Sequence, residues 1–495
     1  MTSATDHSIS PAALPSLRAV ATPDLQPTLA SDQIHAYVDE LRERVATRIA
    51  HDEVLDGMDP GERPMRHRNL FHEELEAWSQ TRARRGEVPL SEAEEDSIEQ
   101  AVIAALSGLG PLEAILGRDD VEDIFFNGSN PTVLRLADGR KVEGPALGET
   151  DERVRQLVAS LASSQEDGSG RELSQSKPLL AVRLPAVGYM GARLSAAIDV
   201  TPSPVGTIRV HRHVDITLED LREQGTIDSG LHALLTAAVL GSAKVLVCGP
   251  PGAGKTTLLR ALCGVIPPDQ AIVTVEDNRE LGLHVMPRRE TTGQIVRDRN
   301  GRPVPLRPPA LVKAYESRPA NSEGMGAITM SDNLHQSLRD SPDRTIVGET
   351  RGPDVTVMID AISNGVPGVM ATIHADSAKG IFDRVVQMVR AVHPPLPADY
   401  ALRGLAYFDL VIFMSRDRLN RRFVSEVIAF DGINRSLGDN GLPPFEVLYQ
   451  PGQDGRGRPT GRPTGRFLER LVAAGWSPEW MNPQNCDWPE WEEGQ

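Results

Sequence analysis

The stretch that most constrains this chain runs from Lys244 to Val265, KVLVCGPPGAGKTTLLRALCGV. The apolar run Val245–Cys248 reads as a strand buried on both faces, and Leu258, Leu259, Leu262 and Val265 recur at helical spacing after it. Between strand and helix, Gly249, Pro250, Pro251, Gly252, Ala253, Gly254, Lys255, Thr256 and Thr257 satisfy the spacing G-x-x-x-x-G-K-[ST] of a phosphate-binding loop. Glycines let the backbone curl so that successive N–H groups point at a β-phosphate, and the positive end of the following helix faces the same anion. Lys255 would bridge the β- and γ-phosphates, and the Thr256 hydroxyl would ligate Mg²⁺. The alternative is a glycine-rich strand-to-helix turn with a surface lysine, but the strand before and the helical pattern after it favour nucleoside triphosphate binding.

At 495 residues the chain is too long for one core. Its 40% apolar and 4% aromatic content, with 43 Gly and 38 Pro, points to an α/β protein with long connections. Three cysteines, Cys248, Cys263 and Cys486, lack disulfide or metal-ligand spacing, which suits a reducing compartment. No apolar stretch approaches the roughly 20 residues that span a bilayer, and 1–30 has no signal-peptide layout. These features predict a cytoplasmic protein. A formal charge of −17 opposes phosphate backbones and anionic lipid at long range, so contact with nucleic acid or membrane has to be local.

The expected domains are a disordered 1–30, a helical region over 31–108, a small α+β domain over 109–225, the α/β nucleotide domain over 226–440, and a Gly/Pro/Arg linker with a Trp-rich tail over 441–495. The continuous apolar runs Val245–Cys248, Ile272–Val275, Thr345–Val347, Val369–Ile373 and Leu410–Met414 predict a mostly parallel sheet covered on both faces. Arg421 to Phe430 alternates and would close its edge. His211 to Asp228 reads as a hinge. Trp476, Trp480, Trp488 and Trp491 either dock a partner or pack back onto the protein. The cationic segment Thr291 to Glu323 reads as a solvated, catalytically neutral loop or as a contact to an acidic partner or ring neighbour, with a hairpin turn at Asp298 to Arg302.

In a parallel sheet the C-terminal strand ends converge on the ligand crevice. Glu276, Asp277 and Glu280 follow one strand and could orient or deprotonate water, or merely start a helix. Glu349 ends another and would hold the Mg²⁺ shell through water, with Arg351 near the γ-phosphate or paired with an acid. His374 ends a third, as a phosphate sensor or a core histidine. Arg183, Arg193 and Arg209, on strands of the preceding domain, suit a phosphate clamp or ordinary ion pairs.

Taken in order, these motifs resemble the secretion and pilus-assembly ATPases of type II and type IV secretion systems, with the tight-adherence pilus branch as the nearest likeness. Gly108 to Glu113, Val121 to Ile124 and Asn127-Gly128 are similar to the opening of that family's N-terminal domain. Val275-Glu276-Asp277 with Glu280-Leu281 resembles its aspartate box, Ile346 to Gly352 its Walker B segment, and Thr372 to Ala375 its histidine box. The resemblance implies a RecA-like ATPase domain, ATP held between two domains, and a homohexameric ring acting on a membrane-embedded platform at the inner face of the plasma membrane. It implies Glu276 as the favoured water-activating acid with Glu280 second, Glu349 for the Mg²⁺ shell, and Arg183, Arg193 and Arg209 reaching the phosphates. Val366 stands where the family usually has a second histidine, and the connection Pro287 to Met325 is longer than the family's, with a basic charge balance. A conjugative DNA-transfer ATPase and a slowly cycling regulatory scaffold are the competing readings.

Overall fold

The structure, a computed structural model, describes residues 31–52, 63–107, 111–163, 173–184, 192–210, 216–290, 292–299, 303–318, 320, 324–431 and 436–491. The chain divides into two compact units: residues 1–187 with 191–210, and residues 188–190 with 211–495. The expectation of disorder over 1–30 lies outside the described residues.

In the first unit, α1 (Ser31–Ala50), α2 (Arg63–Arg84) and α3 (Glu92–Ser107) share a core of Leu41, Val45, Phe71, Trp78, Ile98 and Val102. The charge of α2 conceals its apolar stripe, because Leu70, Phe71, Leu75 and Trp78 fall on one helical face while the charged residues cover the others. After α4 (Leu112–Leu116) come β1 (Val121–Asn127), β2 (Pro131–Leu136), β3 (Lys141–Ala146), α5 (Asp151–Ser163), β4 (Leu179–Leu184), β5 (Ala192–Ala197) and β6 (Val205–Val210). These strands pair antiparallel in the order β3-β2-β1-β6-β5-β4. Alternating residues such as Ile124, Leu134, Leu194 and Ile208 join Val154 and Val158 of α5 in one core. Strand β3 was not legible in the sequence because Gly144 and Pro145 interrupt its alternation.

The second unit comprises α6 (Leu218–Glu223), α7 (Ser229–Leu240), β7 (Val245–Cys248), α8 (Lys255–Val265), β8 (Ile272–Glu276), β9 (Val312–Glu316), α9 (Met330–Ser337), β10 (Arg344–Thr350), α10 (Val355–Ser363), β11 (Met370–Ile373), α11 (Ile381–Arg390), α12 (Ala398–Leu405), β12 (Leu410–Arg416), β13 (Arg422–Ala429), β14 (Glu446–Pro451), β15 (Gly457–Pro459) and α13 (Gly465–Ala473). Among the described residues the sheet has nine strands in the order β15-β14-β13-β12-β7-β11-β10-β8-β9. The pairs from β12 to β9 are parallel and those from β12 to β15 antiparallel. A separate apolar core covers each face, as the continuous apolar runs require.

Three boundaries differ from the sequence expectation. The predicted hinge is packed from Thr217 onward: Thr217 forms a capping box with Asp220, and Leu218, Leu221 and Ile227 are buried. Nor does the sheet end at β13, since 441–491 supplies β14, β15 and α13 in place of the expected linker and tail. Trp476 and Trp488 are 4% and 9% exposed in the unit's core, and the Trp488 indole donates to the Gly457 carbonyl at 2.9 Å. Trp488→Ala is therefore expected to cost about 3 kcal/mol of stability, the usual scale for a buried aromatic. Thermal unfolding checks this; an unchanged midpoint would contradict it.

The third difference is the cationic segment 291–323, whose described residues are not a solvated loop throughout. It contains β9, paired along its length with β8, and Arg307, whose buried guanidinium donates to the Ile266 carbonyl just past α8 at 3.1 Å. Its sequence hides the strand because Val312 is the only strongly apolar position in VKAYE. Arg297 and Pro303 do face each other in an antiparallel bridge across the expected turn.

Candidate functional site

Four parallel strands deliver the phosphate-site candidates to one end of the second unit's sheet. β7, β11, β10 and β8 lie side by side, with Cys248 opposite Ile373, Ile373 opposite Thr350, and Val347 opposite Val275. Gly249, His374, Glu349 with Arg351, and Glu276 with Glu280 stand at or just beyond their C-terminal ends and so emerge on the same edge.

From Gly249 the backbone curls into α8. Gly252 and Gly254 have φ of 75° and 88°, conformations open to glycine. Gly254 precedes α8 without a side-chain cap, which leaves the first N–H groups of the helix to meet an anion. Lys255 is 7% exposed, and its Nζ donates to the carbonyls of Gly249 and Pro250 at 3.1 Å each. Burial lowers its pKa to about 8, against the opposing pull of Glu349.

The same ammonium stands 3.0 Å from His374 Nδ1. His374 Nε2 lies 2.7 Å from Glu349 Oε1, and a ring that donates there turns Nδ1 to the lysine as an acceptor. Glu349 Oε2 accepts from Arg351 Nη2 at 2.5 Å. Burial pushes the Glu349 carboxyl up, but the hydrogen bonds from His374 and Arg351 outweigh it and hold its pKa at about 2. Burial likewise opposes the Arg351 charge, and Glu349, Glu280 and Asp277 together overcome that opposition. Lys255, His374, Glu349 and Arg351 thus form one continuous polar chain.

Glu276 belongs to a different environment. It is 2% exposed; Oε1 accepts the Glu280 and Leu281 N–H groups at 2.9 Å each, and Oε2 accepts the Thr274 hydroxyl at 3.2 Å. Burial raises its pKa to about 7. A Cβ on Gly348 would stand 2.7 Å from Glu276 Cγ, so the glycine of the Walker B segment makes room for this side chain. The resemblance favours Glu276 over Glu280 as the water-activating acid, whereas the burial of Glu276 favours the reverse order. Glu276 is buried, and three of the roughly four acceptor positions of its carboxylate are taken by the protein, which leaves little room for a water. Glu280 is half-buried, and its backbone is held at both ends, by Glu276 at its N–H and by Arg260 of α8 at its carbonyl. Arg260 escaped the sequence reading. An arginine among the apolar residues of α8 was its only signal, and it also donates to the Leu281 carbonyl at 2.9 Å.

Arg183, Arg193 and Arg209 lie in the first unit on β4, β5 and β6. Arg183 stands opposite Arg193, Arg193 opposite Arg209, Arg209 opposite Asp123, Asp123 opposite Arg135, and Arg135 opposite Lys141. One row across the sheet therefore carries five cations around one acid. Buried Asp123 accepts from Arg209 Nε at 2.9 Å and from Arg135 Nη2, so Arg209 sits in an ion pair, one of the two roles the sequence left open. Asp123, Arg135 and Lys141 went unread; their signal was an outward position in strands that alternate.

The donor set of the second unit fits a magnesium nucleotide. It offers a glycine loop, an open helix start, a buried lysine, the half-buried Thr256 beside it, and a carboxylate held ionised. Fold and site together define a RecA-like P-loop nucleotide hydrolase. The family described as Type II/IV secretion system protein matches residues 150–395. A protein of Mycobacterium tuberculosis named for conjugal transfer is 32% identical over 327 residues, which cover 65% of this chain and 84% of that protein. VirB11 of the Bartonella henselae type IV secretion system is 24% identical over 67% of this chain and 94% of its own. A crystal structure of the pilus retraction motor PilT with bound ADP aligns with 64% of this chain and 81% of that one, at 18% identity and a TM-score of 0.42. The chain belongs to the type II/IV secretion system ATPase family, and it is an ATPase.

Proposed function

We propose that this ATPase works as a homohexameric ring on a membrane-embedded platform at the inner face of the plasma membrane, where ATP hydrolysis powers pilus assembly or protein secretion. The observation that carries the reading is the polar chain Lys255–His374–Glu349–Arg351. A β/γ-phosphate in the glycine loop competes with the Gly249 and Pro250 carbonyls and with His374 for the lysine. Phosphate occupancy is then felt at the ends of β10 and β11, and hydrolysis becomes a mechanical signal. Glu280 orients and deprotonates the attacking water, and Glu276 holds the Glu280 backbone. Thr256 and, through water, Glu349 would hold a Mg²⁺ brought by the nucleotide, which would supply charge neutralisation at the phosphates. On the first unit, Arg183 and Arg193, in line with the Arg209–Asp123 pair, offer guanidinium groups that suit a phosphate.

The conjugal-transfer relative supports a second reading, DNA transfer, against which stands the net charge of −17. The scaffold reading loses ground to the intact lysine, threonine and acids. Among the described residues no helix is long and apolar enough to cross a membrane, consistent with a peripheral seat on a platform. Light scattering with a non-hydrolysable ATP analogue is expected to find six copies; monomers alone would contradict the ring. In the host, Lys255→Ala is expected to abolish surface pili or secreted protein, and loss of DNA transfer alone would select the second reading.

A further inference from the structure

The three glycines of the phosphate loop are all backed by one hairpin that no motif in this chain marks. A Cβ on Gly249 would stand 2.4 Å from the Met414 carbonyl oxygen on β12. One on Gly252 would stand 3.2 Å from Arg416 Nη1 at the end of β12, and one on Gly254 would stand 3.3 Å from Arg422 Cδ at the start of β13. Arg422 also reaches the loop directly: its Nε donates to the Gly252 carbonyl at 3.1 Å. The loop is therefore shaped from behind as well as by the phosphate in front.

The hairpin is held in its turn by the segment after β15. Asp417 accepts the Leu419 and Arg421 N–H groups at 2.9 Å each and the Arg421 Nε at 2.7 Å, which fixes the turn. Arg421 stacks on Trp491, its guanidinium carbon 4.0 Å from the ring centroid, and Arg456 stacks there too at 4.2 Å. Phe423 adds a ring contact at 5.7 Å. Such stacking suits the planar guanidinium. Arg421 and Phe423 flank Arg422 in sequence, so the indole grips the strand on either side of the residue that holds the loop.

We propose that Arg422 is a positioning residue for the phosphate loop and that the Trp491 clasp sets its grip, linking nucleotide binding to the C-terminal segment. Arg422 acts through the Gly252 carbonyl, which orients the neighbouring N–H groups toward the β-phosphate; it stabilises bound substrate and transition state alike. The inference rests on nucleotide binding at this loop and not on any assembly role.

The test uses the full-length protein, with mant-ADP for affinity and steady-state ATP hydrolysis for KM and kcat. Arg422→Gln is expected to weaken mant-ADP binding and raise the ATP KM by about tenfold, the scale of one charge-assisted hydrogen bond, with kcat within about twofold. Arg422→Lys should recover part of the loss. Trp491→Ala should shift KM in the same direction by about threefold, and Trp491→Phe, which keeps a ring for Arg421, should restore most of it. ADP should also change the part of the tryptophan emission that Trp491→Phe removes. Wild-type mant-ADP affinity in Arg422→Gln overturns the proposal. So does a fall in kcat at unchanged KM, or losses that follow the thermal midpoint across all four variants. Failure of wild-type protein to bind mant-ADP would instead sink the loop assignment itself.

Discussion

Lys255→Ala is expected to reduce ATP hydrolysis by about a thousandfold, the scale for removing a preorganised charge from a phosphoryl-transfer site. Within the loop Lys255 is the cation that can follow the β- and γ-phosphates, and its resting place shows what it is poised to do. Its ammonium is desolvated, bound by two backbone carbonyls and a histidine. Phosphate oxygens are stronger partners than any of these, so the lysine moves to the nucleotide when one arrives. The variant loses that interaction and the link from the loop to His374 at once. Phosphate release with saturating ATP and Mg²⁺ is the readout, and a wild-type rate would show that this loop is not the active site.

Glu280→Gln is expected to keep nucleotide affinity and to lose turnover by about 10³-fold, within the range for a general base. Glu276→Gln, four residues earlier, should turn over within a fewfold of wild type. An amide oxygen can still accept the Glu280 and Leu281 N–H groups, and the amide can donate to the Thr274 hydroxyl. The two variants also separate by pH. The folded-state pKa of Glu276 is raised to about 7 from an ordinary 4.5. Its contribution to stability is therefore fully present below pH 4.5, falls between pH 4.5 and 7, and is absent above. The wild type should lose stability relative to Glu276→Gln across that window, measured as the difference between their unfolding midpoints. A flat difference would mean that burial does not govern this carboxyl.

Much of this was legible in the sequence because the relevant signals are local. A glycine loop between an apolar strand and a helix, and acids and a histidine closing further apolar runs, place Lys255, Glu349 and His374 on one sheet edge once the strands are known to be parallel. What the sequence hid depends on long-range contacts. Glu276 and Glu280 are both acids at or just past a strand end, and only the packing around Glu276, beside Gly348 and the Thr274 hydroxyl, tells the buried acid from the half-buried one. Arg422 looks like an ordinary charge on an alternating strand until β13 folds against the loop 170 positions away. Trp488 and β15 follow a Gly/Pro/Arg-rich run that composition assigns to a linker, yet strand pairing with β14 and burial of the indole draw them into the core. Strand β9 failed for the converse reason: an edge strand needs few apolar residues to pair.

The most direct test of the account is a single-turnover measurement of phosphate release from prebound ATP, made side by side on wild type, Lys255→Ala, Glu276→Gln and Glu280→Gln. The account predicts comparable release from wild type and Glu276→Gln, none from Glu280→Gln within the wild-type time course, and no productive complex for Lys255→Ala. Release at the wild-type rate from Glu280→Gln, together with its loss in a folded Glu276→Gln, would contradict it.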